Sequence, residues 1–329
     1  MSAPAPGRQS KSQALPRILV AHLEPDELRP IIQRRFPDAP VYYLDNPEQL
    51  ETALAEHDPQ VAFTIKQETF AGDLHRTALN HPSVQWFHVG GSGYEHVQPW
   101  DRPELVVTNS AGVLASYLAE TVLGGMLALN GHFLTYLQQQ QAHQWRSTPF
   151  QPLSEQTLLV VGIGQIGGVL AEHARQLGMH VIATRRSDTQ HPSVHELYPP
   201  DALPELLPRA DFVTLHVRLN RETHHLIDAQ ALSLMPRGSR LINTSRGPVV
   251  DESALADEQE SGHIGVAYLD VFATEPLPPE SRLWSTPNLL ITPHTADNIA
   301  GWPGKFAELF LDNLERWLED RPMLNVVCP

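Results

Sequence analysis

Residues 160–168, VVGIGQIGG, constrain the fold of this chain more than any other stretch. Gly162, Gly164 and Gly167 have the spacing G-x-G-x-x-G, directly after an apolar run and at the head of an amphipathic stretch, GGVLAEHARQLG. Each glycine meets a separate demand. The first makes the turn, the second leaves room for a pyrophosphate, and the third lets the following helix pack on the strand. The helix start then offers unpaired N–H groups and a positive dipole end to an anion. Glycine-rich turns also arise for structural reasons alone, so the surrounding pattern has to decide.

That pattern becomes regular after Thr157. TLLVV, HVIAT, DFVTLHV, RLINTS, GVAYLDV and LLITPH are six apolar runs, most separated by amphipathic stretches with helix-start signals such as Asp228 and Asp251. Runs that are apolar throughout imply strands buried on both faces, as in a parallel sheet covered by helices. Six strands in βα alternation predict a doubly wound dinucleotide-binding domain. Upstream, Ile18–Ala21, VYYL, VAFTIK and VQWFHVG alternate with helical or turn-rich stretches. They predict a smaller α/β unit, flavodoxin-like in kind.

The terminal FAELFLDNLERWLED reads as an amphipathic helix that returns to the first unit. The expected organisation is therefore two Rossmann-like domains. A dinucleotide-binding domain, 110–296, is inserted into a discontinuous substrate domain, 1–109 and 297–329. Between them lies NSAGVLASYLAETVLGGMLALNGHFLTYLQQQQAHQW, helical in spacing, with glycines that predict local breaks. It is too apolar to face water along its whole length, so it packs between domains or against a partner subunit.

Composition narrows the partners. At 329 residues the chain exceeds the size at which single cores stop growing, which fits two domains. A formal charge of −15 opposes binding to nucleic acid or anionic membranes, and no apolar run is long enough to span a bilayer. The single cysteine, Cys328, excludes an intrachain disulfide and fits a reducing compartment. The start, MSAPAPGRQSKSQALP, lacks the apolar core of a secretory signal, so the expected location is cytoplasmic. The 17 histidines include His224–His225, but no stretch has metal-ligand spacing with supporting carboxylates or thiols, and no metal is expected.

Two arginines bear on the cofactor. Folds of this kind that take NAD place an acid at the end of the second strand, about 20 residues on, to hold the ribose 2′-hydroxyl. Here Arg185 lies 18 residues beyond Gly167, at the end of HVIAT, with Arg186 and Ser187 after it. One reading is a solvated turn with Asp188 as a displaced acid. The other is a clamp for the 2′-phosphate of NADP, with Ser187 as an added hydroxyl donor, which predicts NADP(H) over NAD(H).

Three further stretches, LINTSRGPVVD, YLDVFATEPLP and LLITPHTAD, each set a reactive-type residue just beyond a strand: Arg246, Glu275 and His294. Open parallel sheets bind ligands at the carboxyl ends of their strands, where these three can converge. Taken singly, each is as well explained as a surface arginine, a loop glutamate or a satisfied histidine. Together, with GSGYEHV, TNSAGVLASYLAE, VVGIGQIG and TLHVRLNRETHHLI in the same order, they resemble the D-isomer-specific 2-hydroxyacid dehydrogenase family from about residue 17 to the end. Within it, RRS after the second strand and EPLPPESRLW look most similar to glyoxylate/hydroxypyruvate reductases.

The resemblance implies roles. His294 corresponds to the acid/base, Glu275 to its carboxylate partner and Arg246 to the substrate-orienting arginine. Gly91, Ser92 and Gly93 correspond to a turn whose amides hold the substrate carboxylate, and Asp270 to a residue near the nicotinamide carboxamide. Cofactor contacts are implied for Gln165, Ile166, His216, Val217, Thr223, Thr244 and Ser245, besides the glycines, Arg246 and His294. The chemistry agrees: hydride arrival puts negative charge on the carbonyl oxygen, so a proton donor is needed there, and a carboxylate beside the imidazole favours its charged form.

Lys66 is either a substrate contact or a surface lysine. Trp145 either reaches into a partner's substrate site or packs in a core. The family dimerises through the region of Ala111 to Leu137, so a homodimer is expected. Glu95 and Gln98 depart from the aspartates often found there, and TAD after His294 replaces small or apolar residues. Rival readings are 3-phosphoglycerate oxidation, with no obvious extra phosphate site, and a corepressor-like nucleotide sensor. Formate oxidation is disfavoured because that branch pairs its histidine with glutamine.

Overall fold

Unbroken apolar runs become strands in the computed structural model, which describes residues 15–65, 67, 70, 72–187 and 189–329. The chain divides into two units, Met1–Leu114 with Ala300–Pro329, and Ala115–Ile299, each with its own sheet.

The first unit begins β1 (Ile18–Ala21), α1 (Arg29–Arg35), β2 (Val41–Leu44), α2 (Leu50–His57), β3 (Val61–Ile65), α3 (Gly72–Asn80), β4 (Trp86–Gly90) and β5 (Val106–Asn109). These strands lie parallel in the order β2-β1-β3-β4-β5, so the chain reverses its direction of travel at β1 and β3. This is the flavodoxin-like order expected of the smaller unit. Every residue of β3 and β4 is buried, as runs without polar alternation require.

The second unit holds α4 (Ala115–Asn130), α5 (Phe133–Gln141), β6 (Thr157–Val161), α6 (Gln165–Gln176), β7 (His180–Thr184) and β8 (Glu196–Tyr198). It continues with α7 (Leu203–Leu206), β9 (Phe212–Leu215), α8 (Ala229–Leu234), β10 (Arg240–Asn243), α9 (Glu252–Glu260), β11 (Val266–Leu269) and β12 (Leu289–Ile291). The order is β8-β7-β6-β9-β10-β11-β12, every neighbouring pair parallel. Alternate residues of β6 serve opposite faces. Leu159 and Val161 enter one apolar cluster, Leu158 and Val160 the other. The switch point falls between β6 and β9, and the glycine loop leaves β6 at that point. Asp228 and Asp251 cap α8 and α9 through their side chains, as their positions predict.

The chain then re-enters the first unit with α10 (Trp302–Leu318) and β13 (Val326–Val327), the latter antiparallel to β5. Phe310 of α10 stacks on Phe63 at 4.7 Å and on Trp86 at 5.0 Å. Arg35 reaches Glu315 and Asp312, each at 2.7 Å.

All six apolar runs of the second unit are strands, but β8 joins them unanticipated. So do β5 and β13 in the first. The long apolar segment is two helices, and only Gly131–His132 interrupts it, with His132 at φ +58°. Gly124 and Gly125 do not break α4. A Cβ on Gly125 would stand 2.6 Å from the Tyr268 ring, so this glycine admits a close approach of helix to sheet. Among the described residues no helix is long and apolar enough to cross a membrane.

Candidate active site

The glycine loop meets its three demands in turn. Gly162 has φ +92°, and a Cβ there would lie 2.9 Å from the His216 carbonyl oxygen. At Gly167 a Cβ would lie 2.7 Å from the Gly162 carbonyl oxygen and 2.8 Å from Val160, so only a bare backbone lets α6 pack this close. Gly164 has open space where a side chain would stand. The first-turn N–H groups of α6, at Gln165, Ile166 and Gly167, are left by helix geometry for an anion. Thr184 steadies the turn by accepting from Gly162 N at 3.1 Å.

Beyond β9 and β10, the buried His216 Nε2 and Thr244 Oγ1 have no hydrogen-bond partner among the described residues. Burial lowers His216 to about 4, so its ring is neutral. Open space at Gly164 and polar atoms in want of partners fit a bound dinucleotide. Thr223 is occupied differently: its hydroxyl donates to Arg218 O at 2.6 Å and accepts from Asn220 N at 2.8 Å, bracing the loop after β9 beyond His216 and Val217.

Beyond β7, the Arg185 guanidinium donates to Thr189 O at 3.3 Å, and its backbone N–H to Tyr198 O at 2.9 Å. Arg186 pairs with Glu222 at 2.9 Å, both side chains mostly exposed, and Ser187 is exposed. Glu222 was not anticipated, because it lies on the loop after β9 and nothing in its own neighbourhood marks it. Lys66 and Asp188 lie outside the described residues.

The three reactive residues follow β10, β11 and β12. Asn243, which sequence reasoning passed over, shapes the first turn: its Oδ1 accepts from Ser245 N at 3.0 Å and Ser245 Oγ at 2.7 Å, and its Nδ2 donates to Arg246 O at 2.9 Å. Arg246 donates to Ser245 O at 2.7 Å and makes no ion pair among the described residues. Gly247 explains how this turn meets the next, since a Cβ there would lie 1.9 Å from the Phe272 carbonyl carbon. Glu275 follows three residues later. Its Oε1 accepts from Phe272 N at 2.8 Å and its Oε2 from His294 Nδ1 at 2.7 Å.

His294 sits at φ +50°, a conformation that costs a non-glycine residue about 1–3 kcal/mol and persists only where its surroundings impose it. Asp270 imposes it. Its carboxylate accepts from Thr292 Oγ1, from Thr295 N at 2.9 Å and from Ala296 N at 3.0 Å, and its carbonyl accepts from His294 N at 2.8 Å. Sequence reasoning had tied Asp270 to the cofactor and missed this bracing. It also missed Glu252, whose Oε1 accepts from Ala273 N at 2.6 Å and whose carboxyl is held above the usual range, chiefly by burial.

In the first unit, the Gly91–Ser92–Gly93 turn is tied down by its carbonyls. Ser110 N donates to Gly91 O at 2.8 Å and Asn109 Nδ2 to Ser92 O at 2.7 Å. The N–H groups of Ser92, Gly93 and Tyr94 have no acceptor among the described residues. Trp145 corrects one alternative: at 101 % exposure it packs in no core of this chain. The whole stretch from Gln141 to Phe150 is exposed, so no element is near enough to cover the ring.

Comparison with known proteins gives four matches. The family description "D-isomer specific 2-hydroxyacid dehydrogenase, NAD binding domain" matches residues 123–296. A glyoxylate reductase from Korarchaeum cryptofilum is 33 % identical over 233 residues, covering 68 % of this chain and 69 % of that protein. Among solved structures, a D-isomer specific 2-hydroxyacid dehydrogenase family protein from Aeromonas salmonicida subsp. salmonicida superposes with a TM-score of 0.84 at 27 % identity, covering 95 % of this chain and 99 % of the other. An NADPH-dependent glyoxylate/hydroxypyruvate reductase from Sinorhizobium meliloti, in complex with NADP and sulfate, gives 0.80 at 25 % identity, covering 95 % and 98 %.

Proposed function

The chain belongs to the D-isomer specific 2-hydroxyacid dehydrogenase family, and from that premise we propose that it reduces a small 2-oxo acid of the glyoxylate or hydroxypyruvate type with NADPH. The product is the 2-hydroxy acid, the D-isomer where C2 is chiral. The observation that carries this reading is the 2.7 Å contact between His294 Nδ1 and Glu275 Oε2 beyond the carboxyl ends of β11 and β12.

A bound reduced nicotinamide supplies hydride to the carbonyl carbon. The residues do the rest. With Nδ1 engaged by Glu275, His294 has Nε2 free to deliver a proton as negative charge builds on the carbonyl oxygen. Glu275 fixes the ring through its contact with Nδ1. Arg246, without an ion pair among the described residues, binds the substrate carboxylate and polarises the carbonyl. The N–H groups of Ser92 and Gly93, without an acceptor among the described residues, suit a substrate carboxylate. Arg185, Arg186 and Ser187 form the 2′-phosphate clamp, with Arg186 leaving Glu222 to join it. Support for the cofactor comes from the Sinorhizobium meliloti relative, which is named NADPH-dependent and holds NADP.

A homodimer is part of the same reading. Leu127, Phe133, Leu137, Trp145 and Phe150 are all exposed on α4, α5 and the segment that follows, and a second copy would cover them.

Replacing His294 with Asn tests the mechanism. Turnover should fall by roughly two to four orders of magnitude, the usual worth of a general acid, while NADPH binding survives. Turnover within a few-fold of wild type would remove His294 from the reaction.

A further inference from the structure

Beneath the Gly91–Ser92–Gly93 turn lies a polar chain that the proposed mechanism does not use. His88 of β4 and Thr108 of β5 are register partners on adjacent parallel strands. His88, Thr108 and Ser110 are buried, at 0 %, 0 % and 1 % exposure, under the aromatic rings of Phe63, Trp86 and Phe310. Trp86 Nε1 donates to Thr108 Oγ1 at 2.8 Å, Thr108 Oγ1 lies 2.7 Å from His88 Nδ1, and His88 Nε2 lies 3.0 Å from Ser110 Oγ.

Proton counting fixes the direction of this chain. The indole can only donate, so Thr108 Oγ1 is an acceptor there, and its own proton needs an acceptor. The remaining partner is His88 Nδ1. Were Nδ1 protonated instead, the threonine hydroxyl would hold a buried proton with nowhere to go, a costly arrangement. His88 is therefore the Nε2–H tautomer, donating to Ser110. Burial also pushes it down to about 3, so it stays neutral under all ordinary conditions. The strand end it steadies holds the turn: Ser110 N donates to Gly91 O at 2.8 Å and Asn109 Nδ2 to Ser92 O at 2.7 Å.

We propose that His88 is a positioning residue for substrate binding: through Ser110 it holds the end of β5, and thereby the Gly91–Ser92–Gly93 turn, with its free N–H groups set for a carboxylate. The proposal rests on the reading, made above, that this turn receives the substrate carboxylate. A buried network serving stability alone would lower the melting temperature without changing how tightly the 2-oxo acid is held.

Steady-state kinetics with glyoxylate at saturating NADPH test it, using four variants. His88→Phe keeps the ring packing and removes both hydrogen bonds. Ser110→Ala removes only the far end of the chain and should fold even if His88→Phe does not. His88→Gln restores an acceptor and a donor in the same order. Ser92→Pro removes an N–H of the turn itself. His88→Phe and Ser110→Ala should each raise the KM for glyoxylate about tenfold, with kcat within about threefold of wild type and NADPH affinity unchanged. His88→Gln should recover at least part of the loss. If Ser92→Pro raises KM while Ser110→Ala and a folded His88→Phe leave it unchanged, the relay is overturned and the turn keeps its role. If Ser92→Pro leaves KM unchanged, the reading of the turn fails and the relay falls with it.

Discussion

Buried imidazoles in this chain carry a pH signature. Burial lowers His88 to about 3 and His216 to about 4, against 6.5 for the free ring. The unfolded chain therefore takes up protons first as the solution is acidified. The stability these rings contribute is complete above pH 6.5 and is lost as pH falls towards 3–4, at about 1.4 kcal/mol per ring per pH unit. The melting temperature should fall through that window, and it should fall less steeply in His88→Gln, which has no ring to charge. Equal acid sensitivity in the variant and wild type would mean that His88 does not stay neutral in the fold. Residues at the edge of the nucleotide cradle obey different physics. Arg186 and Glu222 are exposed, and such a pair typically contributes under about 1 kcal/mol, so a phosphate can displace the glutamate at little cost.

At the level of elements, the turns beyond β10, β11 and β12 are held by contacts that leave almost no tolerance. Gly247 is the tightest, with the Phe272 carbonyl carbon 1.9 Å from where a Cβ would stand. Gly247→Ala must push the turn bearing Arg246 away from the segment leading to Glu275. A loss of about 1–3 kcal/mol in stability and at least a tenfold drop in kcat are expected, read by chemical denaturation and initial rates. Wild-type kcat in the variant would show that the two turns move independently.

These contacts also mark what the sequence could and could not disclose. The runs that became β6, β7, β9, β10 and β11 were legible because strands buried on both faces need unbroken apolar residues, while Leu289–Ile291, an edge strand, was legible from its apolar run alone. Glu196–Tyr198 escaped because its three residues, ELY, carry no unbroken apolar run. Val326–Val327 was too short to show a period. Arg246, Glu275 and His294 stood out through motif and strand-end position. Asn243, Gly247, Glu222 and Glu252 did not, because their importance lies in partners brought near only by folding, as with Glu252 and Ala273.

For the whole molecule, the apolar side chains exposed from Leu127 to Phe150 are what the proposed homodimer would cover. Light scattering at micromolar concentration should return about twice the 36.6 kDa chain mass, and Leu137→Glu should shift it towards the monomer. A monomer mass for the unaltered protein would reject the dimer. The central claim concerns chemistry, and initial rates of reduced-nicotinamide oxidation with glyoxylate and hydroxypyruvate, under NADPH and under NADH, test it most directly. Turnover of at least one acid is predicted. A single charge-assisted contact to the 2′-phosphate, about 1.5–3 kcal/mol, sets a preference for NADPH of roughly 10- to 150-fold in kcat/KM. No oxidation of NADPH with either acid, or equal use of the two cofactors, would contradict the account.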